Sequence, residues 1–211
     1  MRPSALIVAA VATLAFSLPL SAQNVDVHVR GVWDRPEGST HVHGGAAAVE
    51  LATGSGIEAG ADIFWSDRYS TDLSLASVNH DLDAAAFGQH VDLGATRFVP
   101  LSVTLKIHSN RRGPFDLHAG LGLSYAVLGG LSDTAELQTL GVSRIRFHDS
   151  IAPLASLGLD YRLGGRWALT LDGKYFRIRT KTTASYAAGG SEGADLHLDQ
   201  LLIGAGISCR F

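Results

Sequence analysis

The segment from Val99 to His108 reads VPLSVTLKIH, and apolar and polar side chains alternate along most of it. The odd positions carry valine, leucine and isoleucine, whereas the even positions from Ser102 onward carry serine, threonine, lysine and histidine. Because successive side chains of an extended strand point to opposite faces, this alternation predicts a β-strand with one apolar and one polar face. The segment therefore indicates a sheet that separates two different environments.

The same alternation recurs along the rest of the chain, and no apolar run after Gln23 is long enough to cross a bilayer as a helix. Together with Val99–His108, the alternating segments predict eight strands. The others are Val25–Trp33, Ile57–Trp65, Thr71–Val78, Phe115–Val127, Ile151–Arg162, Trp167–Tyr175 and Leu201–Phe211.

The connections between these segments alternate between short and long. The short ones are Ser66–Tyr69, Ser109–Gly113 and Leu163–Arg166. The long ones are Asp34–Gly54, Asn79–Gly94, Gly129–His148 and Lys181–Leu196. Outer-membrane barrels combine tight periplasmic turns with longer outer loops. We therefore predict an all-β fold, an eight-stranded antiparallel transmembrane β-barrel with short periplasmic turns and long extracellular loops.

A soluble β-sandwich or a lipocalin-like barrel would alternate in the same way, so the polar face has to distinguish these classes. That face carries charged side chains in the middle of strands, together with glycines that leave room for them. Charges of opposite sign can pair across the lumen of a small barrel. The predicted lumen charge network consists of Glu58, Asp62, Lys106, Asp116, Asp160, Asp172, Lys174 and Arg210. Aromatic residues suited to interfacial girdles are Trp33, Trp65, Phe115, Tyr161, Trp167 and Phe211.

The N-terminus has the pattern of an export signal. Arg2 supplies a positive charge, Ala5–Leu18 forms an apolar stretch, and cleavage is expected after Ala22. We therefore predict a signal peptide over residues 1–22, one barrel domain over residues 23–211, and location in the outer membrane.

Composition narrows the function classes further. The chain has 211 residues, of which 46% are hydrophobic, and this suits one domain. Its net charge of −3 provides no broad basic surface, so we predict no nucleic-acid partner. Cys209 is the one cysteine, which excludes an intramolecular disulfide.

Several stretches together resemble the OmpW family, which includes AlkL-type proteins. They are Val99–Leu105, Phe115–Tyr125, Leu157–Tyr161, Trp167–Tyr175 and Gly206–Phe211. The resemblance implies a barrel with a narrow, largely apolar channel, through which small hydrophobic molecules cross the outer membrane and leave sideways into the bilayer. The implied partners are outer-membrane lipid and small hydrophobic ligands. The final Phe211 resembles the C-terminal signal that the barrel-assembly machinery recognises.

Strand parity and height suggest where such ligands would pass. The predicted ligand path, in the outer half of the lumen, is Phe64, Val78, Leu154 and Phe176. Pro153 and Pro100 lack a backbone donor, so each marks either a weakened seam or a proline tolerated at a strand end or bulge. The inner face would also carry the side chains of His28, Lys106 and His118, so the channel would not be uniformly apolar. A non-conducting structural barrel or a surface receptor is therefore the alternative function.

Catalytic and metal chemistry are weakly indicated. His108-Ser109 is similar to the His and Ser of outer-membrane lipid A deacylases, so a lipid-modifying enzyme is a further alternative. Adjacent strand residues point to opposite faces, however, and a nucleophile and its base must lie within hydrogen-bond reach. His41 and His43 could share a metal but have no evident third ligand nearby except Glu50. We predict no catalytic residue, no metal and no cofactor.

Overall fold

The computed structural model describes residues 24–37, 40–42, 47–86, 89–129, 131–132, 142–186 and 191–211. The predicted signal peptide, residues 1–22, lies outside them. Within the described part of the chain, no helix is long and apolar enough to span a membrane.

The described residues form one sheet of twelve strands. In chain order the strands are β1 (Val25–Glu37), β2 (Thr40–Val42), β3 (Ala47–Leu51), β4 (Gly54–Phe64), β5 (Tyr69–Ala86), β6 (Gln89–His108), β7 (Phe115–Leu128), β8 (Leu131–Ser132), β9 (Val142–Phe147), β10 (Ser150–Gly164), β11 (Trp167–Tyr186) and β12 (Ser191–Arg210).

Eight long antiparallel strands close into a barrel, in the order β1, β4, β5, β6, β7, β10, β11 and β12. The first and last of them pair from Asp26 with Arg210 to Glu37 with Asp199, so the barrel has no open edge. This confirms the predicted fold class. The four short strands β2, β3, β8 and β9 belong to the long connections.

One end of the barrel, the short-turn end, carries the connections 65–68, 109–114 and 165–166. Gly164 and Gly165 have φ values of 115° and 61°, a left-handed backbone that favours glycine and so permits the tightest of these turns. At the opposite, long-connection end, antiparallel pairing continues well beyond the predicted strands. The β5–β6 pairing reaches Ala86 with Gln89, and the β11–β12 pairing reaches Ser185 with Ser191.

Apolar side chains cover the outside of the barrel. Leu121 is 72% exposed, Ile151 70% and Ile57 69%. A water-soluble protein would not expose so many large apolar side chains on one surface. Among the predicted girdle aromatics, all but Trp33 lie near the short-turn end, where the rings of Phe115 and Tyr161 are 4.8 Å apart. The outer surface is therefore built to contact lipid, and the polar face of every barrel strand turns inward.

Candidate functional site

The lumen is filled by side chains in four successive layers from the short-turn end upward. The lower layer contains Asp26, Phe64, His108, Arg111, Asp116 and Arg210. The charged layer contains His28, Arg30, Glu58, Asp62, Asp72, Lys106, Asp172 and Lys174. The apolar layer contains Val32, Ala76, Val78, Phe98, Ala126, Leu128, Ala152, Leu154, Phe176, Ile178 and Leu202. The polar cap contains Asp34, His80 and Gln200.

The charged layer is held by ion pairs between strands that are distant in sequence. Lys174 Nζ donates to Glu58 Oε2 at 2.7 Å and to Ser74 Oγ at 2.7 Å. Arg30 Nη1 donates to the other Glu58 oxygen at 2.7 Å. Because each of these charges is nearly inaccessible to solvent, the pairing compensates a large desolvation cost.

Lys106 forms the second half of this layer. Its Nζ lies 2.9 Å from Asp72 Oδ2 and 3.1 Å from Asp62 Oδ1. Asp72 also lies 3.7 Å from Lys174 Nζ, so the two lysines share a carboxylate and the pairs form one cluster.

The eight residues of the predicted charge network therefore separate by height. One cluster contains Glu58, Asp62, Lys106 and Lys174. Asp172 joins it, since its Oδ1 lies 3.9 Å from Nη1 of Arg30 in the same cluster. The remaining three lie lower. Asp116 pairs with His108, Asp160 Oδ2 lies 3.8 Å from His118 Nε2, and Arg210 pairs with Asp26. Strand parity places all of them on the inner face, but parity carries no information about which strands face each other across the lumen.

Sequence reasoning missed Asp72 as a member of the site, although its even position on β5 places it inside. The segment around it is one of the weaker alternating stretches, and its carboxylate is completely buried in the charged layer. His28 was expected to face the lumen and does so, 1% exposed and 3.7 Å from Asp72 Oδ2.

His28, Asp62 and Asp72 offer three ligand atoms within 4.8 Å of one another, a spacing that a metal ion could bridge. Lys106 Nζ already bonds both carboxylates, so a divalent ion would have to displace a buried ammonium group. The donor set thus fits an internal ion pair better than a metal centre. The other candidate ligand pair includes His43, which lies outside the described residues.

A hydrogen-bonded chain of Asp116, His108 and Ser70 joins the lower layer to the charged layer. His108 Nδ1 lies 2.8 Å from Asp116 Oδ2, and its Nε2 lies 2.9 Å from Ser70 Oγ, which is also 3.2 Å from Asp62 Oδ1. Ser109, which the sequence analysis considered as a nucleophile beside His108, is instead exposed. Its hydroxyl accepts a hydrogen bond from the backbone N–H of Leu117. Parity could have found Ser70, since it lies opposite Lys106 on the inner face.

This chain has the connectivity of a serine nucleophile with its base and orienting acid. Ser70, however, is only 1% exposed, and its hydroxyl is shared between His108 and Asp62. A nucleophile must meet a substrate, and this hydroxyl faces other protein groups. The arrangement therefore ties β4, β5, β6 and β7 together rather than presenting a reactive group.

The lower layer closes the short-turn end of the lumen. Arg111, from the turn 109–114, folds inward, and its guanidinium carbon lies 3.6 Å from the centre of the Phe64 ring. Its Nη2 is 3.4 Å from Asp26, which Arg210 holds at 3.0 Å. Burial lowers the pKa of the Arg111 guanidinium, and the Asp26 carboxylate opposes that shift. A cation–π contact and ion pairs thus block this mouth.

The lower layer also corrects one prediction. Phe64 was expected in the outer half of the lumen, and that placement is wrong because β4 descends toward the short-turn end and Phe64 is its last residue. Its ring lies 4.8 Å from that of His108.

The other three residues of the predicted ligand path lie together in the apolar layer. Val78, Leu154 and Phe176 are each at most 3% exposed, and the Phe176 ring meets the Phe98 ring edge to face with centroids 6.0 Å apart. This layer is the one part of the described lumen where apolar side chains touch apolar side chains from several strands.

Beside the apolar layer the barrel wall has a short interruption, which we call the window. Strands β10 and β11 pair from Gly164 with Trp167 up to Leu154 with Phe176. Above this point, among the described residues, 150–153 pair with β7 but not with β11, and β11 next pairs on this side at Thr182 with Phe147 of β9. The Thr180 hydroxyl bonds the carbonyl of His148 and limits the window above.

Pro153 lies at the lower edge of the window, pointing outward next to the last regular β10–β11 pair. Pro100 lies at a second, smaller interruption, since the β5–β6 pairing skips from Leu75 with Leu101 to Val78 with Phe98. Proline removes a ladder donor, which is consistent with a weakened wall at both places.

The polar cap lies above the apolar layer. His80 Nε2 is 3.0 Å from Asp34 Oδ2, and its Nδ1 is 3.0 Å from the carbonyl oxygen of Ala52. Both ring nitrogens therefore lie 3.0 Å from an oxygen atom. Gln200 is completely buried, and neither its amide nitrogen nor its amide oxygen has a hydrogen-bond partner among the described residues.

Known proteins share this architecture. The crystal structure of OprG from Pseudomonas aeruginosa superposes with a TM-score of 0.73 at 17% identity, covering 90% of this chain and 96% of that chain. The solid-state NMR structure of AlkL gives a TM-score of 0.62 at 19% identity, over 92% and 93%. Outer-membrane protein y4mB of Sinorhizobium fredii is 25% identical over 95% of this chain and 84% of its own length. The OmpW family model matches residues 22–211, and this chain belongs to the OmpW family of outer-membrane β-barrel proteins.

Proposed function

We propose that the barrel is a conduit and binding site for small hydrophobic molecules crossing the outer membrane, with no chemistry of its own. The observation that carries the proposal is the position of the apolar layer directly beside the window between β10 and β11. Phe176 belongs to both features, since it lines the apolar layer and forms the last regular pair below the window.

The lower lumen gives the path its direction. An apolar molecule that continued toward the short-turn end would have to separate Lys174 from Glu58 and Lys106 from Asp72. Separating buried charges without replacing their partners is costly, whereas moving from apolar side chains into lipid exchanges similar environments. The favoured route therefore leaves the apolar layer sideways through the window.

A disulfide across the window tests this route. In a Cys209→Ser background, Pro153→Cys and Arg177→Cys would place one thiol on each side, one position above the last regular pair. Oxidation should slow the transfer of a hydrophobic fluorescent tracer into liposomes that contain the protein, and reduction should restore it. Unchanged transfer with the bridge formed would overturn the lateral route.

The matched control joins the same two strands where they already pair. Leu159→Cys with Leu171→Cys lies at a regular, outward-facing β10–β11 pair, so its bridge should leave transfer unchanged. A loss of transfer in both variants would indicate general stiffening of the barrel instead of a closed window.

The tight packing of the lumen favours a second candidate, a non-conducting structural or surface-receptor barrel. The apolar layer is closed at Phe98 and Phe176, neither of which is measurably exposed. If tracer transfer into liposomes containing the wild-type protein equals that into empty liposomes, this second function replaces the first.

A further inference from the structure

Gln200 is an unpartnered amide set into an apolar wall. Its side chain lies on the inner face of β12, and Leu202 is the next residue on the same face. In register, Gln200 lies opposite Phe176 on β11 and opposite Pro36 on β1. Neither of these side chains can form a hydrogen bond with an amide.

Two polar side chains among the described residues lie diagonally across from Gln200, and both already face other partners. Lys174 pairs in register with Leu202 from β11, but its Nζ donates to Glu58 Oε2 and Ser74 Oγ. Asp34 pairs in register with Leu202, two residues along β12, but its carboxylate faces His80 Nε2 at 3.0 Å. Among the described residues, the Gln200 amide therefore keeps both its donor and its acceptor capacity. A buried polar group without a partner destabilises the fold, so an amide in this position calls for a role beyond packing.

We propose that Gln200 recognises the polar head of an amphiphilic ligand whose tail lies in the apolar layer. This inference rests on the proposed conduit function and names its substrate class: a molecule with an apolar tail and one neutral head that both donates and accepts hydrogen bonds. A hydroxyl or an amide has this chemistry, because a glutamine amide presents one acceptor and two donors side by side.

The geometry separates this class from pure hydrocarbons and from ions. A hydrocarbon would pack against Phe98 and Phe176 but would leave the Gln200 amide unpaired. An ionic head would need a counter-charge, and the charged side chains diagonally across from Gln200, Asp34 and Lys174, already face His80 and Glu58. The neutral, hydrogen-bonding head is the remaining match.

The first test observes the amide directly. In isotope-labelled protein in nanodiscs, the side-chain amide resonance of Gln200 is identified by its loss in Gln200→Leu. Titration with 1-octanol should shift this resonance, whereas octane at the same occupancy should leave it in place. If both ligands bind and neither moves the resonance, the inference is overturned.

The second test compares affinities through displacement of a fluorescent hydrophobic tracer. Gln200→Leu should weaken 1-octanol binding by up to about tenfold, the effect of one net hydrogen bond, and should leave octane binding unchanged or tighter. Leu201→Met, a volume-conserving change at the neighbouring residue, which faces away from the lumen, should leave the ratio of the two affinities as it is.

The outcomes separate the two proposals. If neither 1-octanol nor octane displaces the tracer from the wild-type protein, the conduit function fails and the inference fails with it. If both compounds bind with a ratio that Gln200→Leu does not alter, head-group recognition fails while the conduit stands.

Discussion

Lys174 Nζ lies 2.7 Å from Glu58 Oε2, although the two residues are 116 positions apart and their strands are not neighbours in the barrel. The pair crosses the lumen between β4 and β11, and both side chains are at most 4% exposed. It therefore links opposite parts of the wall that the backbone ladder does not join directly.

Lys174→Met should destabilise the barrel by about 3–5 kcal/mol, because it leaves part of a buried negative charge uncompensated. The free energy of unfolding in phospholipid vesicles, measured with denaturant, reports the change. The matched control is Arg112→Met, since Arg112 and Asp67 are also 2.7 Å apart but are 80% and 53% exposed. Its effect should be no more than about 1 kcal/mol. Equal losses in the two variants would contradict an internal role for the Lys174 pair.

Gly60 should not tolerate even a methyl group. A Cβ at this position would lie 2.6 Å from His28 Nε2 and 2.6 Å from the carbonyl oxygen of Leu73, closer than packed atoms allow. Gly60→Ala should therefore lower the folded fraction, seen as loss of the heat-modifiable band on a gel. Gly31→Ala is the control, because the nearest atom to its Cβ would be the Ala205 carbonyl oxygen at 3.9 Å. A fully folded Gly60→Ala barrel would show that the charged layer can shift.

The strands and the orientation of their faces could be predicted from the sequence because lipid and lumen are such different environments. Each residue on a barrel strand faces one or the other, so a period of two reports the choice directly. Leu105 and Lys106, for example, lie outside and inside as their parity requires. No long-range information is needed for this step.

Height and cross-lumen contacts could not be predicted in the same way. Phe64 was misplaced because height depends on where a strand starts and in which direction it runs. The Ser70 and His108 contact depends on the stagger between β5 and β6, and the sequence gives no direct measure of stagger. Arg111 reaches the lumen from a turn, where strand parity does not apply.

Leu121 is a direct probe of the lipid-facing surface. It is 72% exposed near the middle of β7, so Leu121→Arg should cost about 2–4 kcal/mol in vesicles, the penalty of a cation at the bilayer centre. Phe115→Arg, on the same face of the same strand but beside the short turn, should cost about 0–1 kcal/mol. Unfolding titrations of the two variants measure the difference. A reversed order would place the membrane at a different height on the barrel.

Ser70 should behave as a structural residue. A serine-directed fluorophosphonate probe should not label the wild-type protein, because the hydroxyl is 1% exposed and shared between His108 and Asp62. Ser70→Ala should instead lower the free energy of unfolding by about 1–3 kcal/mol, since it leaves buried partners of the hydroxyl unsatisfied. Labelling that disappears in Ser70→Ala would revive the lipid-modifying enzyme as a function.

Phe211 has two parts with separable roles, its backbone N–H and its aromatic ring. Its backbone N–H donates to the Val25 carbonyl at 2.9 Å and helps to close the barrel, whereas its ring is 52% exposed. If the ring is recognised by the barrel-assembly machinery, its loss should affect assembly and not folding. Phe211→Ala keeps the backbone bond, so the variant should fold from urea into vesicles as the wild type does. In cells the assembled fraction should fall, while Cys209→Ala, two positions earlier on the same face, should assemble normally. A defect in vitro as well would mean that the ring acts in barrel closure, and normal assembly in cells would exclude its recognition.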